Sequence, residues 1–239
     1  MDKVNLFPDK NFWNGKNVFI TGHSGFKGGW LSLWLSQLGA NVTGYSLEPN
    51  TDPSFYNACD IGSVTNSIFG NILDYKKLES SIINAKPEII IHMAAQALVL
   101  ESYKNPLDTY KTNIIGTLNI LEIIRNKSYV QAFINVTSDK CYENIEKQYS
   151  YKETDRMGGH DPYSSSKGCS ELVTSAYRLS FFNENSDKSS ITSIASARSG
   201  NVVGGGDWSA DRLIPDFFKA VSQKKALHIR HPSATRPWQ

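Results

Sequence analysis

Tyr163 and Lys167 stand four residues apart in the run YSSSK, a spacing that puts both on one face of a helix. An ammonium beside a phenol favours the phenolate and lowers the tyrosine pKa, so the pair can act as general base and acid near neutral pH. Ser138 ends an apolar run upstream and can bond the oxygen on which such a base works. Asp139 and Lys140 follow it directly and add a proton donor and a second cation. A different chemistry is written near the start, in Gly22-His23-Ser24-Gly25-Phe26-Lys27-Gly28. Glycines three apart between a strand and a helix permit a tight turn at Gly22, the approach of a pyrophosphate at Gly25 and close helix–strand packing at Gly28. The helix that opens with Phe26 and Lys27 then offers free N–H groups to phosphate.

These residues need a scaffold, and the hydrophobic pattern supplies one. Residues 17–21, 41–46, 88–92, 131–137 and 191–197 read as strands, and 88–92 (EIIIH) is continuous enough to be buried on both faces. Helical spacing runs over 27–38, with Trp30 and Trp34 four apart beside Leu31, Leu35 and Leu38. Further helices are expected over 107–125, 162–180 and 211–222. Strands alternating with helices predict an α/β fold, a doubly wound parallel sheet. The polar run 183–190 reads as an exposed loop. After Arg198 the pattern turns loop-like. We therefore expect a nucleotide-binding domain over 1–197 and, over 198–239, the beginning of a substrate-binding domain cut short.

The second strand ends Tyr45-Ser46-Leu47-Glu48. Ser46 is in place to bond an adenosine ribose, and no arginine follows closely to take a 2′-phosphate, which favours NAD over NADP. The chain of 239 residues has 25 basic and 23 acidic side chains, a net charge of +2, which gives no general attraction to nucleic acid or membrane. Its three cysteines, Cys59, Cys141 and Cys169, and its five histidines lack metal-ligand spacing. No apolar run is long enough to span a bilayer, and Met1–Lys10 has no signal-peptide pattern. A cytoplasmic protein is expected, without a metal.

Taken in order, TGHSGFKG, HMAAQ (92–96), the Asn113-Ile-Ile-Gly-Thr117 helix, Ser138 and YSSSK resemble the extended short-chain dehydrogenase/reductases, from about residue 15 to the end. The resemblance implies bound NAD lined by Ala94, Ala95 and Gln96, a triad of Ser138, Tyr163 and Lys167, and support of the site by Asn113. It places adenine near Gly70-Asn71-Ile72-Leu73-Asp74, where many relatives carry an aspartate in the position of Asn71. It also implies that Gln96, Arg198, Asn201 and Arg236 meet a sugar nucleotide, and that helices 107–125 and 162–180 pair in a homodimer or larger assembly. Asp139-Lys140, GNVVGGGDWSADRLIPD and SATRPWQ are similar to the sugar-nucleotide 4,6-dehydratases, in the form acting on a CDP-sugar. That implies oxidation at C4 by Tyr163, C5 proton removal aided by Lys140, loss of the 6-hydroxyl protonated by Asp139, and return of hydride to C6. A 4-epimerase or reductase of the same family, or an inactive dinucleotide-binding fragment, shares the turn and the triad and stays open at this level.

Overall fold

Each face of the central strands carries its own apolar set, and that alternation builds the molecule. In β1 (Asn17–Thr21), Val18 and Ile20 point one way and Phe19 the other; in β4 (Ile89–His92), Ile89 and Ile91 oppose Ile90. All six are buried, so the sheet must be covered on both sides. A computed structural model of the chain describes residues 8–145, 149–183, 192–230, 232–234 and 237–238. It has six parallel strands in the order β3-β2-β1-β4-β5-β6, completed by β2 (Asn41–Ser46), β3 (Asn66–Phe69), β5 (Ala132–Val136) and β6 (Ser193–Ala197). The doubly wound expectation holds. Strand order reverses between β1 and β4, whose last residues, Thr21 and His92, are register partners. Ligands of such sheets enter at this switch point, over the carboxyl ends.

Helix α1 (Phe26–Gln37) lays Leu35 on Val18, Ile20 and Val42, while Trp30 and Trp34 face outward. The other face is covered by α2 (Tyr75–Ala85), α3 (Pro106–Tyr110), α4 (Gly116–Ile124) and α5 (Pro162–Phe181). Leu78, Ile82, Ile120, Leu121 and Ile124 bury fully against Phe19, Ile90 and Phe133. Full burial of such a side chain is worth about 1.5–3 kcal/mol.

The expected helix 107–125 is continuous but not uniform, because Lys111–Ile115 is a π turn joining α3 to α4. Helix α2 and strand β3 were not expected from the pattern; β3 carries little apolar signal, whereas α2 has Leu78, Ile82 and Ile83 at helical spacing. Helix α6 (Leu213–Ser222) forms with no buried residue. The loop expected over 183–190 falls, beyond Asn183, outside the described residues, as does Arg236. No helix among the described residues is long and apolar enough to cross a membrane.

Candidate active site

The glycine turn divides into two parts with different reasons to be glycine. Gly22 has φ +81° and donates its N–H to the Tyr45 carbonyl at 2.9 Å. A Cβ there would stand 2.8 Å from the Ala94 nitrogen. A Cβ on Gly28 would stand 2.0 Å from the Gly22 carbonyl oxygen, so the helix could not pack on the turn. Gly25 is unlike both. Its Cβ would touch only the Gly22 oxygen, at an ordinary 3.4 Å, and no side chain caps the helix it begins. The fold does not need glycine there; the open N–H groups of α1 do, if an anion is to reach them. This donor set and the open space before Gly25 fit the diphosphate of a dinucleotide. Lys27, on the first turn of α1, is pulled below the usual amine range by burial and by the Arg212 charge, with Asp139 opposing.

At the adenosine end the structure reassigns two residues. Ser46 was expected at a ribose hydroxyl. It is buried, and its hydroxyl group meets His23 Nδ1 at 3.0 Å, Ser24 Oγ at 2.9 Å and the Leu47 carbonyl at 2.9 Å. His23, pulled down to about 4 by burial, is a neutral ring that also bonds Ser67 Oγ at 3.0 Å. The Ser46 hydroxyl is therefore committed to holding the turn. Ile72 likewise lies in the core, against Gly116, and its carbonyl accepts from Asn119 at 3.1 Å. Asn71 remains exposed beyond β3, its Oδ1 accepting the Leu73 N–H at 2.9 Å.

Under the switch point runs a chain of buried polar groups. The Thr21 hydroxyl oxygen accepts the N–H groups of Met93 and Ala94, both at 3.1 Å. Its own proton is then left for His92 Nδ1 at 2.7 Å, which assigns the His92 proton to Nε2, facing Thr117 Oγ1 at 3.1 Å. Asn113, in the π turn, accepts the Gln96 N–H at 2.9 Å and donates to the Gln96 carbonyl at 3.1 Å and to Ser166 Oγ at 2.8 Å. The loop bearing Ala94 and Ala95 is thus pinned to both β1 and α5. The Gln96 amide itself turns to Leu98 and Thr109 Oγ1, so the side chain expected at the ligands closes its own loop instead.

Helix α5 starts where Asp161 accepts the Ser164 N–H at 2.9 Å and Pro162 takes the first helical position. This brings buried Tyr163 and Lys167 beneath the turn after β5. Ser138 caps that turn: it accepts the Lys140 N–H at 3.2 Å and donates to Asp139 Oδ1 at 3.0 Å. The expectation of a lowered phenol does not hold for the chain alone. Burial raises Tyr163, and the Ser138 hydrogen bond and the Arg212 charge offset this only in part. Burial and Lys27 bring Lys167 itself down to about 8, which still leaves it protonated at neutral pH. Asp139 and Lys140 are half-buried at the rim.

Arg198 is engaged within the protein. Expected on the substrate, it gives Nε and Nη2 to Glu171 at 2.9 and 3.1 Å and Nη1 to the Tyr142 hydroxyl at 2.8 Å. A guanidinium with all three nitrogens engaged has no fork to offer a ligand. Asn201 pairs in a bridge with Trp238 and donates its N–H to Pro237 at 3.0 Å. Pattern reading missed Arg212, which ion-pairs with Asp207 at 3.2 Å and whose charge reaches both Tyr163 and Lys27. It also missed Glu171, although that residue lies four beyond Lys167 on the same face. No cluster of metal-binding side chains occurs among the described residues.

A sequence profile of the family described as GDP-mannose 4,6 dehydratase matches residues 19–238. The CDP-glucose 4,6-dehydratase of Salmonella typhimurium is 51% identical over 231 residues, which are 97% of this chain and 64% of that protein. Two solved structures share the fold. The epimerase Mth375 from Methanothermobacter thermautotrophicus matches with a TM-score of 0.80 and 25% identity, covering 97% of this chain and 66% of that one. A dTDP-glucose 4,6-dehydratase from Bacillus anthracis in complex with NAD matches with a TM-score of 0.76 and 22% identity, covering 94% and 67%.

Proposed function

The chain belongs to the GDP-mannose 4,6 dehydratase family, and from that premise we propose that it is the NAD-binding part of a sugar-nucleotide 4,6-dehydratase acting on CDP-glucose. One observation carries the reading beyond the fold. Ser138, whose hydroxyl offsets part of the rise in the buried Tyr163 phenol, also donates to a carboxylate, Asp139, 3.0 Å away, so oxidation and elimination chemistry meet at Ser138. A 4-epimerase needs the first half of that arrangement and has no use for the second.

In this reading the backbone N–H groups before α1 and the loop at Ala94 and Ala95 hold NAD, which when bound supplies the acceptor and donor of hydride. Ser138 donates to the sugar 4-oxygen and Tyr163 takes its proton. Burial keeps that phenol protonated, so positive charge must ionise it, and Arg212 provides part from the chain. The 4-ketone acidifies the C5 proton, which Lys140 or a water it orients removes. Asp139 protonates the departing 6-hydroxyl. C4 passes from alcohol to ketone, C6 from alcohol to methyl, and one water leaves, so the sugar is neither oxidised nor reduced overall.

Residues 1–197 then form the nucleotide-binding domain and 198–239 begin the substrate-binding domain, with Asn201 and Arg236 toward the sugar nucleotide. A cytoplasmic homodimer belongs to the same reading, supported by Leu107, Ile115, Leu172 and Leu179, which stay exposed along the two helical runs expected to pair. The chain spans 64% of the length of the Salmonella relative, so the decisive experiment uses the protein with all its domains. Incubation with CDP-glucose and, separately, dTDP-glucose should give a product lighter by one water from the first. A 4-epimer of unchanged mass would overturn the dehydratase reading.

A further inference from the structure

The buried pair Glu171–Arg198 takes no part in the steps above, yet it touches both ends of the segment that carries them. The Glu171 side chain is 4% exposed and Arg198 17%. The carboxylate receives two parallel bonds from the guanidinium and a third from the Thr137 hydroxyl. On the far side the guanidinium bonds the Tyr142 hydroxyl and stands 4.8 Å from the centre of that ring, which stacks on Tyr151 at 4.7 Å. Thr137 and Tyr142 bracket Ser138-Asp139-Lys140-Cys141. The backbone repeats the grip: Thr137 N–H donates to the Ala197 carbonyl at 2.9 Å and Asp139 N–H to the Ser199 carbonyl at 3.0 Å, the two residues flanking Arg198.

The other end of the pair is rooted in the catalytic helix. Tyr163, Lys167 and Glu171 follow at four-residue steps along one face of α5. A buried ion pair is a poor source of net stability, because desolvation offsets the attraction, but its fork geometry fixes orientation. We propose that Glu171, Arg198 and Tyr142 form a positioning clamp that sets the Ser138–Asp139–Lys140 turn against Tyr163 and Lys167, and that Arg198 does not bind substrate. The inference rests on the dehydratase reading, since its purpose is to hold the elimination groups in register with the oxidation groups.

The test compares Arg198→Lys and Tyr142→Phe with the wild type in the NAD-loaded protein, using CDP-glucose. Lysine keeps the charge beside Glu171 but cannot reach Glu171 and Tyr142 together. Phenylalanine removes one hydroxyl and keeps the stack, so that variant folds even where the lysine variant does not. Water loss per NAD-bound site should fall about 10²-fold for Arg198→Lys, the scale of an ångström misplacement, and about tenfold for Tyr142→Phe. KM for CDP-glucose and NAD content should stay within about twofold of wild type, because neither side chain touches a ligand. A large rise in KM with kcat kept would mean that Arg198 grips the substrate, and the clamp would be wrong. Wild-type kcat per loaded site in Tyr142→Phe, or lost folding with undiminished kcat per loaded site in Arg198→Lys, would reduce the pair to scaffolding and overturn the proposal. Failure of the wild type to release water overturns the dehydratase reading and the clamp with it; normal wild-type turnover with unaltered variants overturns the clamp alone.

Discussion

Acid should weaken this fold well above the range where carboxylates titrate, and two buried histidines, His92 and His23, are the reason. The His92 ring is 2% exposed and, by the bonding order above, accepts from Thr21 at Nδ1 and donates to Thr117 at Nε2. A second proton on Nδ1 would meet a hydroxyl whose oxygen already takes two N–H groups. Burial, aided by the Lys167 charge, brings His92 from 6.5 down to about 3, and burial brings His23 down to about 4. Below 6.5 the unfolded chain therefore binds protons that the folded chain refuses. Stability is full above that pH and is lost as pH falls from 6.5 toward 4 and 3.

At pH 5 each ring is about 1.5 pH units below its unfolded value, worth about 2 kcal/mol, so the two together cost about 4 kcal/mol relative to neutral pH. That is a large share of the roughly 5–15 kcal/mol of a typical domain. Lys167, about 8 when folded, stays protonated in both states across this window and adds nothing. Urea unfolding of the cofactor-free protein, followed by tryptophan fluorescence at pH 7 and pH 5, measures the difference. His92→Asn should lower stability at pH 7 by about 1–3 kcal/mol through lost hydrogen bonds, yet lose roughly half of the pH dependence. A wild-type stability that is flat from pH 7 to 5, or a His92→Asn variant with the full slope, would refute the reasoning.

The glycine turn gives a paired contrast. Gly28→Ala should destabilise by about 3 kcal/mol or more, because its Cβ would press into the Gly22 carbonyl at 2.0 Å. Gly25→Val should fold normally and retain little NAD, as read by the absorbance of the released dinucleotide. Tyr163→Phe should keep NAD and cut water loss about 10²- to 10⁴-fold, the usual weight of a general acid–base group. Asp139→Asn should slow water loss by a similar factor of about 10²–10⁴ while the C5 proton of recovered substrate still exchanges with solvent deuterium; release of product at the wild-type rate would remove Asp139 from the mechanism.

What the sequence made legible was whatever depends on neighbours along the chain. The turn Gly22–Gly28 and the step from Tyr163 to Lys167 are local geometry, and strands such as 17–21 announce themselves as apolar runs. Strand β3, Asn66–Phe69, has two polar residues of four and sits beside β2 alone, so no run marks it. The misassigned side chains were decided by partners far away in the chain. Ser46 was taken by His23, which crosses onto Gly44 so closely that a Cβ there would meet the ring at 2.2 Å. Arg198 was taken by Glu171, on a helix 27 residues earlier. Periodicity shows which face a residue occupies; it does not show which of two acceptors, carboxylate or ligand, a guanidinium will find.

Helix α5 shows why that blindness falls on the site in particular. Its buried face is Tyr163, Ser164, Ser166, Lys167, Ser170, Glu171 and Thr174, with hardly an aliphatic residue among them. Such a face gains little from the hydrophobic effect, and the helix docks through directed bonds instead. Ser166 meets Asn113 at 2.8 Å, Ser170 meets Thr117 and Asn135, both at 2.9 Å, Thr174 meets Asn135 at 2.9 Å, and Glu171 meets Thr137 and Arg198. Among the described residues only Ser32 and Tyr129 hold a buried polar side-chain atom without a partner, and neither is on α5. An apolar interface tolerates sliding by a few tenths of an ångström at small cost, whereas a satisfied buried network fixes register, because any slip leaves donors and acceptors unpaired. The same bonds tie α5 to the strand before Ser138 and to the π turn that holds the Ala94 loop. The position of Tyr163 relative to both is therefore set by the polar face that a hydrophobic pattern does not register.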